Sequence, residues 1–186
     1  VLEGIARARA VGLVPLKLDT VVIRGRNDDE IVPLLSFARS IGAELRFIEY
    51  MDVPPALHWK RESVVTREEI LARIRSEFGR VHGIRERGSA PAERFELDDG
   101  TTFGVISSVS TPFCGDCDRV RLTADGTLFT CLYDREALDL RTPLRAGATA
   151  AELAELIRTC WRARTNRGAE EARSTTRSAV RPLADE

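Results

Sequence analysis

The chain has 186 residues, enough for one domain or two small ones with a real core. Its 28 basic and 29 acidic residues nearly cancel, so there is no global electrostatic case for binding nucleic acid or an anionic membrane. No apolar run approaches the length of a membrane span and no secretory signal opens the chain, so the expected compartment is the reducing cytoplasm, where clustered cysteines bind metal more often than they form disulfides.

The chain opens in a helical pattern, with apolar residues at Val1, Leu2, Ile5, Ala8 and Val11 and Gly12 as a stop. No capping residue precedes it, which reads as a piece of a longer chain. Pro15 to Ile23 alternates around Lys17 and Asp19, then turns fully apolar, and predicts a strand. Asn27 or Asp28 is placed to cap a helix over 29–41, with Ile31, Leu34, Leu35, Ala38 and Ile41 on one face and Gly42 as its stop. Glu44 to Met51 alternates again as a second strand. Helix, strand, helix, strand with short joints is the pattern of a parallel α/β unit. Two strands cannot close a sheet or barrel alone, so further partners are expected upstream of Val1.

Asp52-Val53-Pro54-Pro55 marks a composition shift. Thr66-x-x-Glu69 is a capping box for a helix to about Phe78, and 79–91 reads as a polar connection. Strand-like patterns follow at 94–97 and 102–109, around the turn Asp98-Asp99-Gly100. Val120 to Phe129 reads as a hairpin turning at Ala124-Asp125-Gly126. A loop is expected at 139–143 and a helix at 150–163, and the polar sequence after Asn166 predicts a frayed tail. The boundaries that result are 1–55, 56–92, 93–166 and 167–186.

Three of the four cysteines lie between Thr111 and Cys131. Cys114 and Cys117 form a C-x2-C pair, and the hairpin returns Cys131 towards them. A plain set of reduced thiols is a poor reading of that pattern. Zinc needs a fourth ligand, for which His82, Asp116 and Cys160 are the candidates, none at a convincing spacing. Cys160, beside Trp161 in the last helix, suits a core position better. Three cysteines without a fourth suit a 4Fe–4S cluster with one open iron. Arg119 and Arg121 beside the pair point to an anionic ligand. Lys17 and Asp19 share a strand face next to Arg46, and Lys17 stands out in a chain with only one other lysine, Lys60. His58 and His82 read as surface residues, and Asp116 and Asp118 as turn formers.

The segment from Gly104 through Pro112-Phe113-Cys114-Gly115-Asp116-Cys117-Asp118-Arg119-Val120-Arg121 to Leu128 resembles the C-terminal cluster segment of GTP 3′,8-cyclase. That radical S-adenosylmethionine enzyme opens molybdenum-cofactor biosynthesis. Pro15-x-Lys17-x-Asp19 through Gly25-x-Asn27, and Arg46-Phe47-Ile48-Glu49-Tyr50-Met51, resemble later barrel strands of the same family. The resemblance implies an α/β fold: the C-terminal part of an incomplete (β/α) barrel, then an α+β region carrying a 4Fe–4S cluster. It implies Cys114, Cys117 and Cys131 as cluster ligands, Arg119 and Arg121 at the GTP site, Lys17 and Arg46 facing the triphosphate, and Met51 near S-adenosylmethionine. It further implies GTP as substrate, a second 4Fe–4S cluster with S-adenosylmethionine in full-length members, and handover to the next molybdopterin enzyme. It admits a homodimer.

The family's first cluster uses C-x3-C-x2-C, which this sequence lacks, so the chain alone is not expected to cyclise GTP. Asp19 stands where the family usually has asparagine, and the chain ends without the family's common Gly-Gly. The rival reading is a non-catalytic three-cysteine cluster or zinc module that binds a nucleotide or a protein partner.

Overall fold

The computed structural model describes residues 1–53, 59–84 and 88–174. The alternating segments form β1 (Lys17–Val22) and β2 (Glu44–Glu49), joined through the helix α2 (Ile31–Ser40). The two strands pair in parallel, with Lys17 opposite Glu44 and Asp19 opposite Arg46. A first helix, α1 (Leu2–Ala10), buries none of its residues. Asn27 and Asp28 shape the turn before α2 rather than capping it. Asn27 Oδ1 accepts from Ile23 N–H at 2.8 Å and Asp28 Oδ1 from Gly25 N–H at 2.6 Å.

Within the chain β2 has a second neighbour. β5 (Thr102–Ile106) pairs in parallel with the other side of β2, Leu45 opposite Phe103. β4 (Glu93–Leu97) forms a hairpin with β5, and β3 (Val81–Ile84) pairs with β4, giving the order β1-β2-β5-β4-β3. β3 thus lies where a polar connection was expected. Its His82 is exposed, 2.8 Å from Asp98, while His58 lies outside the described residues. The mixed sheet buries one face against α2 and α3 (Arg67–Phe78). Val22, Leu45, Phe47, Phe95, Phe103 and Val105 meet Ile31, Leu35, Ile70, Leu71 and Ile74. Phe103 stacks on Phe95 at 5.4 Å and meets Phe47 edge-on at 6.5 Å.

The predicted capping box holds α3. Thr66 Oγ1 accepts from Glu69 N–H at 3.4 Å, and the Glu69 carboxylate accepts from Thr66 N–H at 2.9 Å and from Arg24 at 2.7 Å. Burial pushes the Glu69 carboxyl up, but the Thr66 backbone N–H, Arg24 and the Thr66 hydroxyl outweigh it and hold the group below its ordinary value. A depressed folded value gives stability that is complete above the unfolded titration and is lost as pH falls through the folded one. Thr66→Ala is expected to cost about 1 kcal/mol in urea unfolding at neutral pH. The gap from wild type should narrow down the acid limb.

Two compact units divide between Phe113 and Cys114, so the expected boundary at 92/93 falls inside the first. The second unit carries a small antiparallel sheet, β6 (Arg121–Leu122), β7 (Thr127–Phe129) and β8 (Leu138–Asp139), with the order β6-β7-β8. The β6–β7 turn needs Gly126, at φ +89°, where a Cβ would lie 2.8 Å from that of Arg141. Among its described residues three helices complete the unit: α4 (Arg141–Arg145), α5 (Ala150–Arg162) and α6 (Gly168–Ser174). α4 occupies the expected loop, with Pro143 tolerated in its first turn. α6 replaces the first part of the expected frayed tail. Cys160 is half-buried on α5, a helix with no buried residue, so it is not a core cysteine. Among the described residues of this unit, only Leu128, Thr130 and Gly168 are buried. No described helix is long and apolar enough to cross a membrane.

Candidate metal centre and anion cleft

In the second unit Cys114 opens a single 3-10 turn, closed by the Cys117 N–H donating to the Cys114 carbonyl at 3.3 Å. The β6–β7 hairpin follows and delivers Cys131. All three cysteines are free and half-buried. Arg119 precedes β6, and its guanidinium donates to Cys117 Sγ at 3.5 Å. Burial pushes the Cys117 thiol up, but the Arg119 backbone N–H, the Arg119 guanidinium and Arg164 together bring it below its ordinary value. Arg121 is exposed on β6, opposite Phe129.

The donor chemistry fits a thiolate-held iron–sulfur group: three soft sulfur donors, none in a disulfide, one of them accepting from a guanidinium. Among the described residues no three His, Cys, Asp or Glu side chains are grouped closely enough to hold a metal ion in this arrangement.

Sequence reasoning missed what holds these loops. Asp134 Oδ2 accepts from the Cys131 N–H at 2.7 Å and from the Thr130 hydroxyl at 2.9 Å. The Asn166 amide donates to Asp134 Oδ1, and Asn166 Oδ1 accepts from Arg164 Nε at 3.1 Å. Arg164 donates to the Cys117 carbonyl at 2.5 Å and lies over the Trp161 ring at 4.9 Å. Asp134, three residues beyond Cys131, had a local signal as an Asx-type turn former. Arg164 had none in so arginine-rich a chain.

In the first unit the open sheet face carries charge. Lys17, Arg39, Arg46 and Arg94 line a cleft of about 660 Å³, with Glu44 as the one carboxylate among the described residues of its wall. Glu44 accepts from Arg46 Nε at 3.1 Å and from Arg94 at 2.8 Å, and Arg39 pairs with Asp99. Lys17 and Arg46 both line this cleft, and the described residues of its wall carry net positive charge, which suits an anion. Gly104 gives Arg46 room, since a Cβ there would lie 3.2 Å from Arg46 Cγ and from Ala92 Cβ. Asp19 sits opposite Arg46 on the neighbouring strand. Met51 is half-buried just past β2 and does not line this cleft.

A second carboxylate of β2 turns the other way. Glu49 is fully buried and accepts from the N–H of Arg67 at 2.7 Å, of Val109 at 2.8 Å and of Ser110 at 2.6 Å, as well as from the Ser110 hydroxyl. It ties the N-terminus of α3 to the loop that ends β5, which is why that strand stops at Ile106 instead of running to 109.

The family model described as Molybdenum Cofactor Synthesis C matches residues 43–170. The protein named GTP 3′,8-cyclase 1 of Mycobacterium tuberculosis is 50% identical over 171 residues, 92% of this chain and 48% of the relative. GTP 3′,8-cyclase of Streptomyces coelicolor is 49% identical over 160 residues, 85% of this chain and 47% of the relative. That of Parasynechococcus marenigrum is 42% identical over 187 residues, 96% of this chain and 52% of the relative. The chain spans about half the length of these curated relatives. It belongs to the Molybdenum Cofactor Synthesis C family, as the C-terminal portion of GTP 3′,8-cyclase.

Proposed function

We propose that this chain supplies the second-cluster, nucleotide-binding part of a radical cyclisation of GTP. The product is (8S)-3′,8-cyclo-7,8-dihydroguanosine 5′-triphosphate, on the route to molybdopterin. The observation that carries this reading is the set of three free, half-buried thiols in one unit, with Arg119 against Cys117. Cys114, Cys117 and Cys131 would hold the 4Fe–4S group. When bound, such a group offers an iron with an open position for the purine. Arg119 favours the thiolate form of Cys117, and Arg119 and Arg121 supply cations for the nucleotide. In the first unit, Lys17 and Arg46 are the cations for a triphosphate, in a wall that already suits an anion. Met51 is assigned to S-adenosylmethionine by resemblance alone.

The family reaction removes a ribose hydrogen and joins that carbon to guanine C8. Its radical source uses a C-x3-C-x2-C motif absent from this sequence, so turnover by the chain alone is not expected. The last strands of a (β/α) barrel remain the reading of the parallel strands β1, β2 and β5. A reducing cytoplasm suits the free thiols. A homodimer and handover to the next enzyme of the pathway rest on the resemblance. Cys160 sustains a second reading: a fourth, half-buried thiol outside any core would complete a zinc site in a non-catalytic module.

Anaerobic reconstitution with iron and sulfide, followed by metal analysis and electron paramagnetic resonance, tests this. The expected result is about four irons per chain, as a 4Fe–4S cluster requires, with a spectrum that changes on adding GTP. Stoichiometric zinc would defeat the cluster assignment, and a spectrum indifferent to GTP would favour a structural module.

A further inference from the structure

Residues Arg164 to Gly168 run between α5 and α6 and touch both cysteine-bearing loops. A hydrogen-bonded relay joins the backbones of two cysteines. The Cys117 carbonyl accepts from Arg164, Arg164 Nε donates to Asn166 Oδ1, the Asn166 amide donates to Asp134, and Asp134 accepts from the Cys131 N–H. The polarity of the relay is fixed. Arginine has only donors and a carboxylate only acceptors, so Asn166 must present its oxygen to one and its nitrogen to the other. Flanking contacts repeat the bridge. A Cβ on Gly115, within the cysteine turn, would lie 3.1 Å from Arg167, and a Cβ on Gly168 would collide with Tyr133. Few of the unit's described residues are buried, so little else sets the spacing of these loops.

We infer that Arg164 to Gly168 is a positioning strap, with Arg164, Asn166 and Asp134 tethering the Cys114–Cys117 turn to the Cys131 loop so that the two can close on a metal group. This rests on the cysteine reading above. Asp134 bonds the Cys131 backbone and Asn166 bonds Asp134, while Arg164 bonds the Cys117 carbonyl and also reaches its thiol, the kind of support that outer partners give a metal site.

The test uses the 186-residue chain, reconstituted with iron and sulfide, and follows iron release to a chelator, the resonance spectrum, and thermal unfolding of the apo chain. Asn166→Asp sets a carboxylate against Asp134 and breaks the relay. Arg164→Ala removes its first link, and Arg164→Lys keeps one donor. Asn166→Asp and Arg164→Ala should release iron roughly 10–100-fold faster than wild type, with a broadened spectrum and unchanged apo melting. Arg164→Lys should fall between. Wild-type release rates in Asn166→Asp would overturn the strap, as would iron loss that only follows a lowered apo melting temperature. Iron held by wild type and variants alike would defeat the strap and leave the cysteine reading standing. A wild-type chain that takes up no iron would defeat both.

Discussion

Glu49→Ala is expected to destabilise the chain by about 3–5 kcal/mol in urea unfolding, the cost of breaking a buried charged network. The side chain is fully buried and satisfies three backbone N–H groups and a hydroxyl with two oxygens. Truncation removes the acceptor, strands those donors away from water and leaves a cavity, so three costs add. One donor is the first N–H of α3, where a carboxylate also meets the positive end of the helix dipole. Glu49→Gln keeps the shape but offers one oxygen where two served, and turns an amide nitrogen towards donors. It should lose about 2 kcal/mol, within the range for hydrogen bonds to charged groups. Amide exchange should show the loss at Val109 and Ser110 before it reaches the centre of the sheet. A near-neutral Glu49→Ala would mean that water replaces the carboxylate.

Alternation in β2 already held this information. Leu45, Phe47 and Glu49 fall on one face, Glu44 and Arg46 on the other, so a carboxylate on an apolar face announces a buried acceptor with dedicated donors. The same alternation put Lys17 and Asp19 on one strand face with Arg46 on the neighbouring strand, while the register that sets Lys17 opposite Glu44 came only with the structure, and the capping box at Thr66 was legible from four residues. The place of β5 was not. A strand that closes a hairpin with β4 and also lies parallel to β2 carries no local mark of its second neighbour, because pairing is settled by the whole sheet. β3 was missed because its Val-His-Gly-Ile sequence is short, polar at its centre and at the sheet's edge. In the second unit the cysteines and their hairpin were plain from spacing. The strap was not: Arg164 and Asn166 matter through partners 47 and 32 residues away, and their place between the last predicted helix and the polar tail gives no sign of them.

Cys131→Ala is expected to reduce iron retained after reconstitution to background, while Cys160→Ala retains the wild-type amount. Two thiolates from one turn cannot replace three, since each ligand must be delivered by the fold and Cys131 is the one brought by the hairpin and pinned by Asp134. The loss should also appear as stability. With Leu128 the one hydrophobic side chain buried among this unit's described residues, little apolar burial holds it together, and binding free energy of a metal group becomes folding free energy. A ligand present at 100 times its dissociation constant stabilises by about 2.7 kcal/mol, so the loaded wild type should melt above its apo form, and a chelator should abolish the difference. Cys131→Ala should melt the same with or without iron and sulfide. If Cys160→Ala loses metal as completely as Cys131→Ala, the site uses four thiolates. That outcome favours the zinc module, because a fully ligated site leaves no open position for a purine.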